Sequence, residues 1–288
     1  MLAAVFALGV GCGGAGGDAA RTEAGGSAER EASGAVPASG SEDDGVPVAG
    51  DADGGFVASA EGSGGEAGAA DRIEGVRFQI FDGHERLLID FGRDGGGAGI
   101  PLWSVESPEQ GGYVRLRFPG IASTTTGHED LIGDVLSEVY VVRDGGGLFA
   151  DVFAMHEFRY RIVERPEAGQ LAVDFRGVPE EMDFPPTTGD RAVVLQPREA
   201  EEVESPIDVR GYARPPEGEV TVSLLDREQD LVASKTVRAD AGASAWGLFE
   251  ASLEFSGHEG IATIRVGPEG GSFFGTETEV FLESSGPG

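Results

Sequence analysis

The sequence predicts an all-β protein, in which two β-sandwich domains follow a disordered amino-terminal tether. Three observations carry this expectation. Gly and acidic residues crowd into the first quarter of the 288-residue chain, whereas nearly every Phe, Tyr and Trp lies after Arg72. Beyond Arg72, apolar and polar residues alternate in short runs cut by Gly, Asp and Pro, which is the pattern of half-buried strands joined by turns. No stretch of helical length keeps a 3.6-residue period, and Asp130 to Ser137 alone admits a helical turn or two.

Charge removes some functions at once. The chain holds 51 Asp and Glu against 21 Lys and Arg, a formal net charge of −30. Nucleic-acid binding needs clustered Lys or Arg to neutralise phosphates, and the sequence has no such stripe. The same balance disfavours electrostatic docking on an anionic membrane. Asn is absent, so there is no N-glycosylation acceptor. With Lys235 the single Lys, a GC-rich coding sequence explains the bias, and avoidance of thermolabile Asn is the alternative.

At the amino terminus, Met1 to Val10 reads MLAAVFALGV. This apolar run is too short to span a bilayer as a helix but matches a signal-peptide core. Gly11 and the lone Cys12 follow it, the bacterial lipobox arrangement in which the thiol receives diacylglycerol before cleavage. Residues 1–12 are therefore read as a lipoprotein signal with Cys12 as the lipidation site. No basic residue precedes the core, which points to a start further upstream. Residues 13–71 are mostly Gly, Ala, Ser, Asp and Glu, with Phe56 their one aromatic residue, too polar to bury a core. As a flexible coil they span roughly 40–45 Å root-mean-square, enough to hold a folded part away from a membrane. Asp51-Ala52-Asp53-Gly54 resembles the opening of a calcium loop but has no bidentate Glu at the required spacing.

Residues 72–177 read as the first sandwich. Period-two runs cover Val76–Phe81, Arg86–Phe91, Tyr113–Phe118, Glu138–Val142, Leu148–Met155, Phe158–Val163 and Leu171–Phe175, and Asp144 to Gly147 closes a hairpin. The run FDGHERLLIDFG (Phe81 to Gly92), the hairpin around Val139 to Phe153 and FRYRIVERPEAGQLAVDF (Phe158 to Phe175) resemble the AMIN-like domain of actinobacterial exported proteins. That resemblance implies binding to peptidoglycan or another envelope component.

Residues 178–190, VPEEMDFPPTTGD, form an acidic Pro-rich link, stiffened by Pro185-Pro186. Residues 191–284 read as the second sandwich, with strands at Ala192–Leu195, Ile207–Tyr212, Glu219–Leu225, Leu231–Val237, Gly247–Phe255, Ile261–Val266 and Thr278–Leu282. Seven strands in about 95 residues are the count of an immunoglobulin-like fold, here without a cysteine pair. SPIDVRGYARPPEGEVTVSLLD (Ser205 to Asp226) and ADAGASAWGLFEASLEF (Ala239 to Phe255) closely resemble the immunoglobulin-like domain of bacterial spore germination proteins, and Gly211, Ala213, Gly242 and Phe249 fit its pattern.

The sequence carries few signatures of catalytic chemistry. Each of His84, His128, His156 and His258 precedes a Glu, but none has the second His that a zinc protease needs one helical turn away. His84 and His156 converging with Glu85 or Glu157 is one possibility, and polar dipeptides at turns are the plainer reading. There is no Gly-x-Ser-x-Gly elbow and no Ser-x-x-Lys pair. Gly95 to Gly99 precedes Ile100-Pro101 and no helix start, unlike a phosphate loop. No cofactor or metal is expected. Trp103 and Tyr113 flank a polar loop, where they either stack on sugar rings or belong to the core. Arg115 with Arg117, and Arg159 with Arg161, sit at alternate strand positions. If the two rows are neighbours they form a cationic patch for muropeptide carboxylates; otherwise each Arg pairs with acids on adjacent strands.

The expected function is that of a non-catalytic, lipid-anchored protein on the extracytoplasmic face of the cell membrane. Its two β modules would bind peptidoglycan or an envelope protein, with no nucleic-acid partner. The alternatives are a wall-glycan hydrolase with carboxylates in the first domain and an assembly subunit of a surface complex.

Overall fold

The computed structural model describes residues 46–47, 55–59, 61–108, 111–181, 186–241, 245–267 and 275–283. Cys12, the signal segment 1–12, most of the tether and Gly242 lie outside the described residues. The architecture is all-β, with a single 3-10 turn at Pro166–Ala168 among the described residues.

Two sheets pack face to face in the first module. One runs in the order Val46–Pro47, His156–Arg165, Gln170–Glu181, His84–Gly92, Arg72–Phe81, Ser123–Thr124. The other contains Leu136–Asp144, Gly147–Ala154, Tyr113–Pro119, Trp103–Glu106 and Gly62–Gly64 in that order. Alternation sends Leu87, Ile89, Val173 and Phe175 from the first sheet, and Val114, Leu116, Phe118 and Val139 from the second, into one core. In the second module Val209, Phe249, Leu224, Ile264 and Val280 fill a separate core. Gly211 pairs with Phe249 across two strands. A Cβ on Gly211 would stand 2.0 Å from the Val193 carbonyl oxygen and 2.9 Å from the Phe249 ring, so this close approach requires glycine.

The end of the segment read as tether is folded. Gly62–Gly64 pairs with Trp103–Val105, and the Gly65 N–H donates to Glu164 Oε1 at 2.9 Å. Phe56 is buried beneath the Arg161 and Arg176 guanidinium groups, 4.9 and 4.2 Å from its ring centroid, with His84 edge-on. One aromatic ring supplies what the surrounding Gly and Ala cannot, apolar area and a face for cations. Where a helical turn is expected, at Asp130 to Ser137, the chain instead forms a loop over residues 131–135 between two strands. The buried Glu85 carboxylate accepts the backbone N–H groups of Asp134, Val135 and Leu136, which satisfies them without helical bonding.

Under Phe56, on the outer face of the first sheet, Asp174 is fully buried. It accepts Arg86 Nε and Nη2 at 2.6 and 2.9 Å and Arg161 Nε at 2.8 Å. Burial alone would raise its carboxyl pKa, but the hydrogen bonds and charges of Arg86 and Arg161 hold it below the ordinary value of 3.8. A depressed carboxyl contributes stability that is present above the unfolded pKa and lost as pH falls through the folded one. Asp174→Asn leaves buried guanidinium groups without their anion and should cost about 3–5 kcal/mol at pH 7. In denaturant titrations repeated down to pH 2, the wild type should converge on the variant below pH 3.8; a constant gap would assign the cost to packing.

Candidate functional site

The two modules share a sheet and an apolar seam. At one end of the second module, Trp246 and Gly247 pair in parallel with Val142 and Arg143 of the first. The second module's strands Ala192–Gln196, Ile207–Ala213 and Trp246–Leu253 thereby continue the first module's sheet into one of nine strands. A Cβ on Gly247 would lie 2.3 Å from the Ala241 nitrogen, so glycine is needed where the chain enters the seam. Against this junction Tyr140, Tyr212 and Trp246 pack as tilted and edge-to-face rings, with centroids 4.8–5.9 Å apart. Phe149, Phe153, Val193 and Leu195 complete a buried cluster distinct from the two module cores.

Beside the seam lies a cleft of about 500 Å³ lined by residues of both modules, among them Tyr113, Arg115, Arg117, Arg198, Arg210 and Glu250. Arg115 comes from the Tyr113–Pro119 strand and grips its cross-strand neighbour Asp151 with Nε and Nη2, at 2.8 and 2.7 Å. Its guanidinium also lies 4.1 Å from the Phe149 ring centroid. Burial opposes the Arg115 charge, but the hydrogen bond and charge of Asp151 more than offset it and raise the Arg115 pKa. Arg117 donates to Glu106 at 2.6 Å and Asp144 at 2.8 Å and stays one-third exposed. Arg210 faces Glu250 at 3.5 Å, both largely exposed.

Arg198 differs because it lies in a turn after the Ala192–Gln196 strand and is buried. Its Nη2 donates to the Gly111 carbonyl at 3.2 Å, across the seam, and its backbone N–H donates to Glu201 at 2.7 Å. Burial lowers its pKa, against the pull of Tyr113, Glu201 and Tyr212. Burial likewise pushes the Tyr113 hydroxyl up to about 12, so it remains a neutral hydrogen-bonding group at the cleft wall.

The second module is similar to a known family. Residues 191–272 match the family described as the immunoglobulin-like domain of bacterial spore germination. Searches among curated proteins and among solved structures found no match for the chain.

The structure sorts the residues that the sequence singled out. Arg115, Arg117 and Tyr113 meet at the cleft. Arg159 and Arg161 lie on the His156–Arg165 strand of the opposite sheet. Tyr160 and Ile162 point into the sandwich core, so their Arg neighbours face outward on the far side. The two arginine rows therefore do not form one patch, and cross-strand pairing describes Arg115 with Asp151 and Arg161 with Asp174. Trp103 is 2 % exposed, and its Nε1 donates to Glu164 at 2.6 Å; it is a core residue with no face for a sugar. Tyr113 is buried too, against Phe153. His84 lies 3.7 Å from Asp174 and stacks on Phe81, while His156 is exposed opposite Glu181. Arg198 and Arg210 escape sequence reasoning because nothing local places them beside the first module.

Removing the largest ring of the seam should uncouple the modules. Trp246→Ala is expected to cost about 3–5 kcal/mol and to split one unfolding transition into two in differential scanning calorimetry. Limited trypsin digestion should then cut at Arg191, and a single unsplit transition with an intact Arg191 bond would show that the seam does not couple the modules.

Proposed function

We propose that the chain is a non-catalytic, lipid-anchored envelope protein that binds carboxylate-bearing wall fragments in the cleft between its β modules. The observation that carries this reading is the convergence of Arg117, Arg198 and Arg210 on one cleft in a chain of net charge −30. Long-range attraction to an anionic polymer is unfavourable at that charge, so affinity must come from short contacts with a desolvated ligand. Guanidinium groups at the rim and wall supply them by bidentate hydrogen bonding. The resemblance of residues 72–177 to AMIN-like domains, carried by their sequence alone, supports a wall ligand. The match of residues 191–272 supports a second reading, in which the same surface seats an acidic partner in a surface assembly.

Isothermal titration with a soluble muropeptide and with its fully amidated counterpart tests the cleft. The carboxylate form should bind, the amidated form should bind at least tenfold more weakly, and Arg117→Gln with Arg210→Gln should lose a similar factor, since each charged hydrogen bond is worth roughly 1.5–3 kcal/mol. Equal binding of both muropeptides, or none, would reject the wall ligand.

Anchoring has a separate test. The Cys12→Ser chain should leave the membrane fraction for the medium or retain its leader, and unchanged detergent-dependent partitioning would rule out the lipid anchor.

A further inference from the structure

The short strand His128–Asp130 lies antiparallel to Leu136–Asp144, with His128 opposite Tyr140 and Asp130 opposite Glu138. Positions 128, 130, 138 and 140 therefore share one face. His128 Nε2 stands 3.1 Å from Glu138 Oε2 and 3.5 Å from Asp130 Oδ1. The three ligand atoms all lie within 4.8 Å of one another. An ion with bonds of about 2.0–2.1 Å in a tetrahedral shell holds its ligand atoms about 3.3 Å apart. The spacing around His128 Nε2 is already close to that edge.

The neighbours of these ligands are arranged as an outer shell. Glu138 accepts the Tyr140 hydroxyl at the same Oε2 and the Thr188 hydroxyl at Oε1, the latter at 3.1 Å. Its carboxylate is thereby fixed in orientation and, although partly buried, is held below its ordinary pKa by the hydrogen bonds of His128, Tyr140 and Thr188. The His128 ring is clamped in turn, stacked on Tyr140 with centroids 4.3 Å apart and edge-on to Trp246 at 6.1 Å. Outer-shell partners of this kind lock a metal-binding imidazole and carboxylate in place. Asp130 is 85 % exposed at the side chain while His128 and Glu138 are 25 % and 20 % exposed, so the cluster is open to solvent on one side and built on the other.

We propose that His128, Asp130 and Glu138 bind a divalent transition ion. One imidazole nitrogen and two carboxylate oxygens suit zinc and its neighbours better than calcium or magnesium, which favour all-oxygen sets. The place gives the ion a consequence. Glu138 belongs to the first module, Thr188 to the connecting segment and Trp246 to the second, so an ion held here strengthens the seam that aligns the cleft. The competing arrangement is a protonated His128 simply paired with the two carboxylates, which binds no ion.

The test uses the full chain with metal alone. After equilibration with Zn²⁺ and dialysis into metal-free buffer, elemental analysis should find about one zinc per chain. Ni²⁺, added to the apo protein, should quench the Trp246 fluorescence, because the imidazole that carries the ion lies edge-on to that ring. Asp130→Asn changes an exposed side chain that the fold does not need, and it should weaken binding at least tenfold; His128→Gln should abolish both retention and quenching. Zinc retention below about one ion per ten chains, or retention that Asp130→Asn and His128→Gln leave unchanged, overturns the site.

Discussion

The contact between Tyr140, Tyr212 and Trp246 is the constraint on which the rest of the arrangement depends. A sandwich normally buries one face of each sheet and wets the other. Here the sheet that runs through both modules is covered twice. Val139 and Val141 face the first core while Tyr140 and Val142 face the seam. Val194 faces the second core while Val193 and Leu195 face the seam. Two strands thus serve three cores, and neither module could present its outer apolar face to water without losing that burial. The Pro-rich link therefore joins parts that packing already holds together.

Charge is organised around the same apolar surfaces. In a chain this acidic, several arginines are drawn into pairs set by register, among them Arg115 opposite Asp151 and Arg161 opposite Asp174. Each of these two pairs is buried by something laid over it, Phe56 in one case and the seam aromatics in the other. Low dielectric strengthens these bonds and makes breaking them costly. The cleft is lined by Arg115 and Arg210, which register sets opposite Asp151 and Glu250, and by Arg198, which enters from the segment after the Ala192–Gln196 strand. Arg198 Nη2 donates to a backbone carbonyl of the first module, and burial lowers its pKa.

Much of the fold was legible because period-two alternation is a local property. The Tyr113–Pro119, Glu219–Leu225 and Ile207–Ala213 strands stand where alternation put them, to within a residue. Short strands such as Trp103–Glu106 and His128–Asp130 escaped, since three or four residues carry too little pattern. The helical turn expected at Asp130 to Ser137 does not form for a nonlocal reason: the backbone donors of Asp134, Val135 and Leu136 are satisfied by Glu85, far away in sequence. For the candidate site, the three residues of one strand region were found and their partners were not. A hint did exist in the runs Ala192–Leu195 and Val139–Val142, which are apolar at every position. Such runs imply strands covered on both faces, but they do not say by what.

One strand shows how family likeness and site can occupy the same residues without depending on each other. In Ile207–Ala213, the inward positions are Ile207, Val209, Gly211 and Ala213, and they build the second core together with Phe249. Those are positions through which the sequence resembles the spore germination domain. The outward positions are Asp208, Arg210 and Tyr212, and of these Tyr212 enters the seam while Arg210 lines the cleft. The neighbouring strand repeats the division, with Phe249, Ala251 and Leu253 inside and Trp246, Leu248 and Glu250 at the seam or cleft. Because alternate side chains point to opposite faces, the interior can satisfy the immunoglobulin-like fold whatever the outer face does. The binding surface proposed here therefore belongs to the pairing of the two modules: the sandwich supplies the rigid strands, and the first module decides what their outer faces meet.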